Sequence, residues 1–416
     1  MKKHIKNTKT ESTKKQPVKT QTKPSITEIN SVSKEIRWLA QQLRDSLLEH
    51  ADNSKAVKAA ISDAFWVGID LGDKKSNYCF LDTKGNIATE GTLATTQAEL
   101  ATLFSAIPKC TIAIEVGMHS PWVNDLLEAH GHEVFVANPR KMESIHRNRR
   151  KNDKVDARTL ARLVRADPEL LYPIRHRGVE ARNDLVLLRA RDGLVSARTK
   201  LINCVRGQVK SLGGRLPKCS AESFHNTAAD KLPDSLRNAL LPLVIQIGEM
   251  TARIRTYDAG VNRMIKQKYP EADCLQQVGG VGPITSLTYI LTLEKPERFA
   301  KSRDVGCYLG LIPRQDESGD TSKQLRITKT GDTMLRKLMV SCAQYLLGPV
   351  GEDCDLRRFG LKLATRGGKT AKKRAVVAVA RKLAVLLHRL WLTGEVYEPL
   401  RNARLQEEAL VMAVNE

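Results

Sequence analysis

Between residues 65 and 137, short apolar runs of strand length recur in an order that few folds accommodate. FWVGIDL at 65–71 is apolar at successive positions, as a strand buried on both faces requires. NYCFLD at 77–82 is a second such run. Lys84-Gly85-Asn86 marks a turn, after which a strand returns over 87–93. The pattern then alternates: a helix over 97–107, a buried strand TIAIEV at 111–116, a helix near 120–130 and a strand EVFVA at 133–137. A hairpin followed by alternating strands and helices predicts a mixed sheet with flanking helices, the α/β class.

The flanking segments have a different character. Residues 1–25 are Lys, Thr, Gln and Ser with almost no apolar content, predicting a disordered basic arm that contacts a polyanion or serves only as a solubilising tail. Residues 26–62 carry Ile36, Leu39, Leu43, Leu47 and Leu48 at helical spacing, a helical N-terminal extension. From 152 to 166 the pattern is helical and basic. A long helix is predicted over 180–212, where Leu187, Leu194 and Leu201 recur every seven residues beside Leu188, Val195 and Ile202, until Gly213-Gly214 and Pro217 end it. A second helix returns over 234–268. The pair reads as a coiled-coil arm, an internal hairpin or, favoured by the heptad face, a dimer contact. A separate all-α domain follows over 269–400, with a Gly-rich turn at 279–282, a polar loop at 313–326 and a basic, apolar-faced helix over 369–392; residues 401–416 form a tail.

The formal net charge is +22, which points to nucleic acid as the partner, because Lys and Arg placed on phosphates release counterions. Aromatic residues make up only 5%, too few for extensive base stacking, which favours duplex backbone contacts and leaves structured RNA open. The eight cysteines lie apart with no CxxC pair, which argues against zinc and for small core residues in a reducing, cytoplasmic setting. Lys-rich polar sequence follows Met1 without an apolar core, so neither a signal peptide nor a membrane span is expected.

Two carboxylates stand out against the apolar strands. Asp70 ends the first in GIDLG, and Glu115 ends another in AIEVG. Burying such charges is costly unless a cation meets them, and Gly68 and Gly72 leave room for a phosphate or metal. Asp153 and Asp156, at i and i+3 in KNDKVDA, share one helix face. Oxygen-only ligands suit Mg²⁺ or Mn²⁺, and two such ions would align nucleophile and leaving group across a phosphodiester. Each acid alone reads equally as a cap, a turn or a surface salt bridge with Lys151, Lys154 or Arg158. Arg147, Arg149, Arg150, Lys151 and Lys154 are candidates to hold a nucleic-acid backbone near these acids. Lys369, Lys372, Lys373 and Arg374 are candidates at the last long helix; a solvated charged face is the alternative for both groups. In QVGGVGPITS at 277–286, a Gly-x-Gly-Pro turn looks like a helix-hairpin-helix turn or a tight helix connection.

These motifs resemble one family. FWVGIDLGDKKSNYCFLD, TIAIEVGMHSPW and VANPRKMESIHRNRRKNDKVDARTLARL, with LGLIPRQDESGDTSKQLRITKTGD downstream, are similar to the IS110/IS1111 family of transposases over roughly 65–400. Pilin-gene invertases share this organisation. The resemblance implies a RuvC-like, RNase H-like domain over 63–175 whose DEDD acids fall on Asp70, Glu115, Asp153 and Asp156. It implies that Ser318, in DESGD, is the nucleophile that forms a phosphoserine link to DNA. Many members carry a second Ser and Gly there, where this chain has Glu317 and Asp320, and Ser322 is the fallback. It further implies a structured guide RNA encoded by the element, double-stranded DNA as substrate and a dimer that pairs into a tetramer. In that assembly the acids of one subunit would meet the serine of another, in a bacterial, nucleoid-associated setting. The rival readings are a RuvC-like junction nuclease, a DNA invertase without an RNA guide, and a scaffold that has kept the fold without catalysis.

Overall fold

The computed structural model describes residues 65–142, 153–318, 321–368, 370–402 and 404–405, together with Trp38 and Gln41. The predicted basic arm over 1–25 and all but two residues of the 26–62 extension lie outside the described residues. The chain divides into one compact unit up to His176 and a second from Arg177 onward.

The first unit is built on a five-stranded sheet. Its strands are β1 (Trp66–Asp70), β2 (Lys75–Leu81), β3 (Ile87–Ala94), β4 (Thr111–Glu115) and β5 (Glu133–Ala137). They lie in the order β3-β2-β1-β4-β5. β1, β2 and β3 pair antiparallel as a meander, whereas β4 and β5 run parallel to β1. Parallel pairing needs crossovers, and α1 (Gln97–Ala106) and α2 (Ser120–Ala129) supply them. Thr96 caps α1 through a hydrogen bond from the Glu99 amide, and Pro121 sits in the first turn of α2.

Alternation along the strands sorts the two faces. Val67 and Ile69 of β1, Tyr78 and Phe80 of β2, and Ile112 and Ile114 of β4 pack with Leu100, Leu103 and Phe104 of α1 and Val123 and Leu127 of α2. On the opposite face, Cys79 and Leu81 meet Ala157 and Ala161 of α3 (Asp153–Ala166), while Ala113 meets Leu160 and Val164. The result is a sheet between helical layers, buried on both sides as its apolar strands demand.

Gly68 explains how closely α3 approaches. A Cβ at this position would fall on the Ala157 carbonyl oxygen and the Ala161 amide nitrogen, so the helix backbone rests directly on β1. This corrects the expectation that Gly68 leaves room for a ligand: α3 fills that space. Gly72 is likewise a turn glycine whose Cβ would strike the Lys75 carbonyl oxygen. Arg158 of α3 pins the helix to the sheet edge by a bidentate pair with Glu90 of β3, and the guanidinium holds the Glu90 carboxyl below its usual range.

The second unit begins with α4 (Val179–Ser211), followed by α5 (Phe224–Ala229) and α6 (Asp234–Lys268). Near one end of the α4–α6 pair, Ala181, Leu185 and Leu188 share a core with Val261 and Ile265; near the other, Ile202, Val205 and Val209 pack with Leu240, Val244 and Ile247. The two helices are therefore antiparallel. Arg191 bonds Asp258 between them, and buried Arg198 donates to the Thr251 hydroxyl. The face that the heptad spacing offered to a second copy is in large part occupied by α6 of the same chain. Its buried line runs through Leu188 and Ile202, with Leu187, Leu194 and Leu201 only half-buried.

The remainder comprises α7 (Ala272–Gln276), α8 (Pro283–Leu293), α9 (Asp304–Tyr308), α10 (Thr333–Leu347), α11 (Asp355–Ala364) and α12 (Ala371–Thr393). α8 is buried from Thr285 to Leu293 and forms the centre of this core, with Tyr289 donating to the Ala384 carbonyl of α12. The region is not all-α. The stretch read as a polar loop forms a hairpin of β6 (Pro313–Ser318) and β7 (Thr321–Ile327). Its strands lack an apolar run, so they gave no strand signal; backbone pairing alone defines them.

Two stability outcomes follow. Gly68→Ala must push α3 off β1, and the variant is expected to lose about 3 kcal/mol or more in denaturant unfolding, the upper end of overpacking costs. The buried His132 ring donates from Nε2 to the Phe104 carbonyl, while Nδ1 accepts from the Cys110 amide and thiol. Burial holds this imidazole below its ordinary 6.5 and raises the Cys110 thiol to about 12. The fold keeps the neutral ring, so its contribution is complete above 6.5 and is lost as pH falls, when the unfolded chain takes a proton that the folded one refuses. Melting between about pH 7.5 and about pH 5.5 should show this loss in wild type and a smaller pH dependence in His132→Gln.

Candidate functional site

The pleat that sorts the core also sorts the acids. Asp70 has the parity of Gly68, and Glu115 the parity of Ala113, so both strands end with a carboxylate on the α3 side of the sheet. β1 and β4 are parallel neighbours paired as far as Ile69 and Ile114, which puts Asp70 and Glu115 at one edge. α3 begins at that edge, with Asp153 and Asp156 in its first turn, where the helix dipole favours negative charge.

One oxygen from each of Asp70, Asp153 and Asp156 lies within 4.8 Å of the others. Asp153 is exposed, and Asp70 and Asp156 are half-buried. Arg158, a possible partner for the aspartates by sequence, is committed to Glu90. The structure thus brings together three of the four predicted acids. Glu115 stands at the neighbouring strand end, half-buried, outside that close group. A set of carboxylate oxygens converging at the solvent boundary fits a hard divalent cation such as Mg²⁺ or Mn²⁺.

Lys154 is exposed on the first turn of α3, whereas Arg147, Arg149, Arg150 and Lys151 lie outside the described residues. In the second unit, Lys372, Lys373 and Arg374 are exposed at the start of α12, and Lys369 lies outside the described residues. Ser318 ends β6, paired with Thr321 across the hairpin tip, and Ser322 pairs with Glu317. The turn at 279–282 joins α7 to α8; Gly280 adopts φ +81° and has Tyr345 packed against its α-carbon, a position closed to side chains.

A groove of about 1490 Å³ runs along α12, lined by Leu356, Phe359 and Val377 and by Arg303, Arg326, Arg366, Lys373, Arg374 and Arg381 among others. Sequence reasoning named only Lys373 and Arg374 of these. Arg381, seven residues after Arg374 on the same helix face, was detectable from spacing; the others come from distant segments that only the fold assembles.

A family model for the DEDD transposase of IS110 elements matches residues 67–213, and one described as transposase IS116/IS110/IS902 family matches 272–351. The chain belongs to the IS110 family of transposases. The first match takes in all four acids and the second takes in the β-hairpin, so both units of this transposase carry family sequence. The chain is 26% identical over 353 residues to the transposase for insertion sequence element IS1111A of Coxiella burnetii, covering 82% of this chain and 94% of that protein. It is 26% identical over 346 residues to a probable family 20 transposase of Pseudomonas aeruginosa, covering 80% and 98%. A putative transposase of Sinorhizobium fredii is 28% identical over 310 residues, covering 72% and 77%. No helix among the described residues is long and apolar enough to cross a membrane.

Three carboxylate oxygens this close can share one divalent cation. Mn²⁺ or Mg²⁺ is therefore expected to raise the melting temperature of the transposase, by ligand linkage. Asp156→Asn should lose that response while melting no lower than wild type without metal. Equal metal shifts in both proteins would exclude the acids as the site.

Proposed function

We propose that this transposase cuts and rejoins DNA strands at a divalent-metal site held by Asp70, Asp153 and Asp156, with Glu115 as the fourth acid of a DEDD set. The convergence of three carboxylates from β1 and α3 at one sheet edge carries this reading. The strand order β3-β2-β1-β4-β5, with an antiparallel meander and two parallel additions, supports an RNase H-like, RuvC-like domain over 63–175. We assign residues 176–268 to a helical arm and 269–400 to the C-terminal transposase domain.

The bound cation would supply charge neutralisation at the phosphate. Ser318 serves as nucleophile. Its hydroxyl oxygen forms a bond to phosphorus as a backbone phosphorus–oxygen bond breaks, the hydroxyl proton leaves, and the departing DNA oxygen ends as a hydroxyl. Attack by another strand's hydroxyl on the phosphoserine releases Ser318 and completes the exchange, so no bond energy is spent. The place of Ser318 at the end of β6, paired with Thr321 of β7, supports this assignment. Basic residues along the α12 groove, with Lys372 beside it, would hold nucleic acid. A structured guide RNA from the element, and subunits paired into a tetramer in which the acids of one work with the serine of another, complete the reading.

On supercoiled DNA bearing the ends of the element that encodes the chain, Asp70→Asn and Asp156→Asn should abolish strand cleavage yet retain DNA binding. Normal cleavage by both would end the metal-site reading. Wild type should yield a covalent protein–DNA adduct that Ser318→Ala lacks and Ser322→Ala retains. Cleavage without any adduct would instead favour a RuvC-like nuclease that uses water.

A further inference from the structure

His119 lies in the loop between β4 and α2, four residues after Glu115, at the edge where the acids gather. Two contacts fix its ring. The Trp122 indole N–H donates to His119 Nδ1 at 3.1 Å, and the two rings meet edge to face with centroids 6.0 Å apart. An indole is only a donor, so Nδ1 must be the bare acceptor nitrogen and Nε2 must carry the ring proton. Nε2 in turn lies 3.5 Å from an Asp73 carboxylate oxygen. Asp73 is three residues past Asp70, and three residues span at most about 11 Å, so the Nε2–H group reaches across from the β4 end to the β1 end.

The loop itself is held. The Ser120 hydroxyl accepts from the Gly117 amide and donates to the Gly117 carbonyl, both at 2.9 Å, and the Val116 amide bonds the Ala137 carbonyl of β5. The His119 side chain is 30% exposed, and that of Asp73 is 89% exposed. A preset N–H donor therefore faces a carboxylate with little holding it in place. An anion with better geometry, such as a phosphate oxygen, can take that carboxylate's position without any movement of the imidazole.

We infer that His119 is a substrate-contacting residue of this transposase whose Nε2–H donates to a non-bridging oxygen of the scissile phosphate, with Trp122 fixing the donor tautomer. The inference rests on the metal-site reading above and adds to it a neutral donor, supplied by the loop after β4, for the charge that develops on the phosphate. Asp73 is a placeholder for that oxygen and has no part in the chemistry.

The test uses full-length protein and the same supercoiled DNA bearing the element ends, with Asp156→Asn as the control for the metal site. His119→Ala should slow strand cleavage at saturating DNA about a hundredfold, as loss of one such donor does, with affinity for labelled end duplex changed by no more than about twofold. His119→Asn, which keeps an N–H donor, should recover part of the rate. Asp73→Asn should cleave at least as fast as wild type, and Trp122→Phe should fall between wild type and His119→Ala. Melting temperature and its response to Mn²⁺ should be unchanged in His119→Ala. If His119→Ala cleaves within about twofold of wild type while Asp156→Asn is inactive, the inference fails and the metal site stands. If Asp73→Asn is as impaired as His119→Ala, the pair is a structural link and the donor role is overturned. Wild-type cleavage by Asp156→Asn would sink the metal-site reading itself.

Discussion

The acid cluster exists because β1 lacks a side chain at one place. At Gly68 the backbone of α3 lies against the strand, and Ala157 and Ala161 are the small residues that let it do so. That contact sets the depth of the helix on the sheet. Its first turn then sits beside the end of β1, where strand parity delivers Asp70. The three carboxylates are thus brought together by the packing of β1 against α3, which offsets the repulsion of like charges. Apolar burial on both faces of the sheet supplies the opposing free energy, and the Arg158–Glu90 clamp holds the far side of the helix.

The second unit follows a different logic. Its core closes around α8, which is apolar or small on every side and accordingly buried from Thr285 to Leu293. The antiparallel pair α4–α6 is stitched by Arg191–Asp258 and Arg198–Thr251 as well as by its leucine and valine face. Along α12 a groove takes basic residues from four separate elements and loops, with Asp355, Glu395 and Glu398 in the same lining.

Much of the first unit was legible in the sequence because its strands are apolar runs bounded by turn residues. β2 starts two residues earlier than its apolar run implied, since Lys75 and Ser76 pair with Ala94 and Leu93 of β3 regardless of polarity. The helices over 179–211 and 234–268 were legible from periodicity, but which stripe is buried depends on the partner helix. The β6–β7 hairpin was invisible for the opposite reason: without an apolar run its strand character lies in backbone pairing alone. Among the acids, spacing put Asp153 and Asp156 on one face, and strand-end position marked Asp70 and Glu115. It could not tell that Glu115 would stand outside the closest group. At Gly68 an absent side chain serves a ligand and a packed helix equally well, so only the fold distinguishes the two. His119 gave no sequence signal of its own; its significance comes from Trp122 and Asp73, one turn away and on another strand's loop.

The most direct test of this account is a crystal of the full-length transposase grown with Mn²⁺, with diffraction recorded for anomalous scattering by manganese. The account predicts an anomalous peak bridging the side-chain oxygens of Asp70 and of Asp153 or Asp156, at the edge where β1 ends and α3 begins. Manganese bound elsewhere, with these three carboxylates separated or paired to basic side chains, would contradict it.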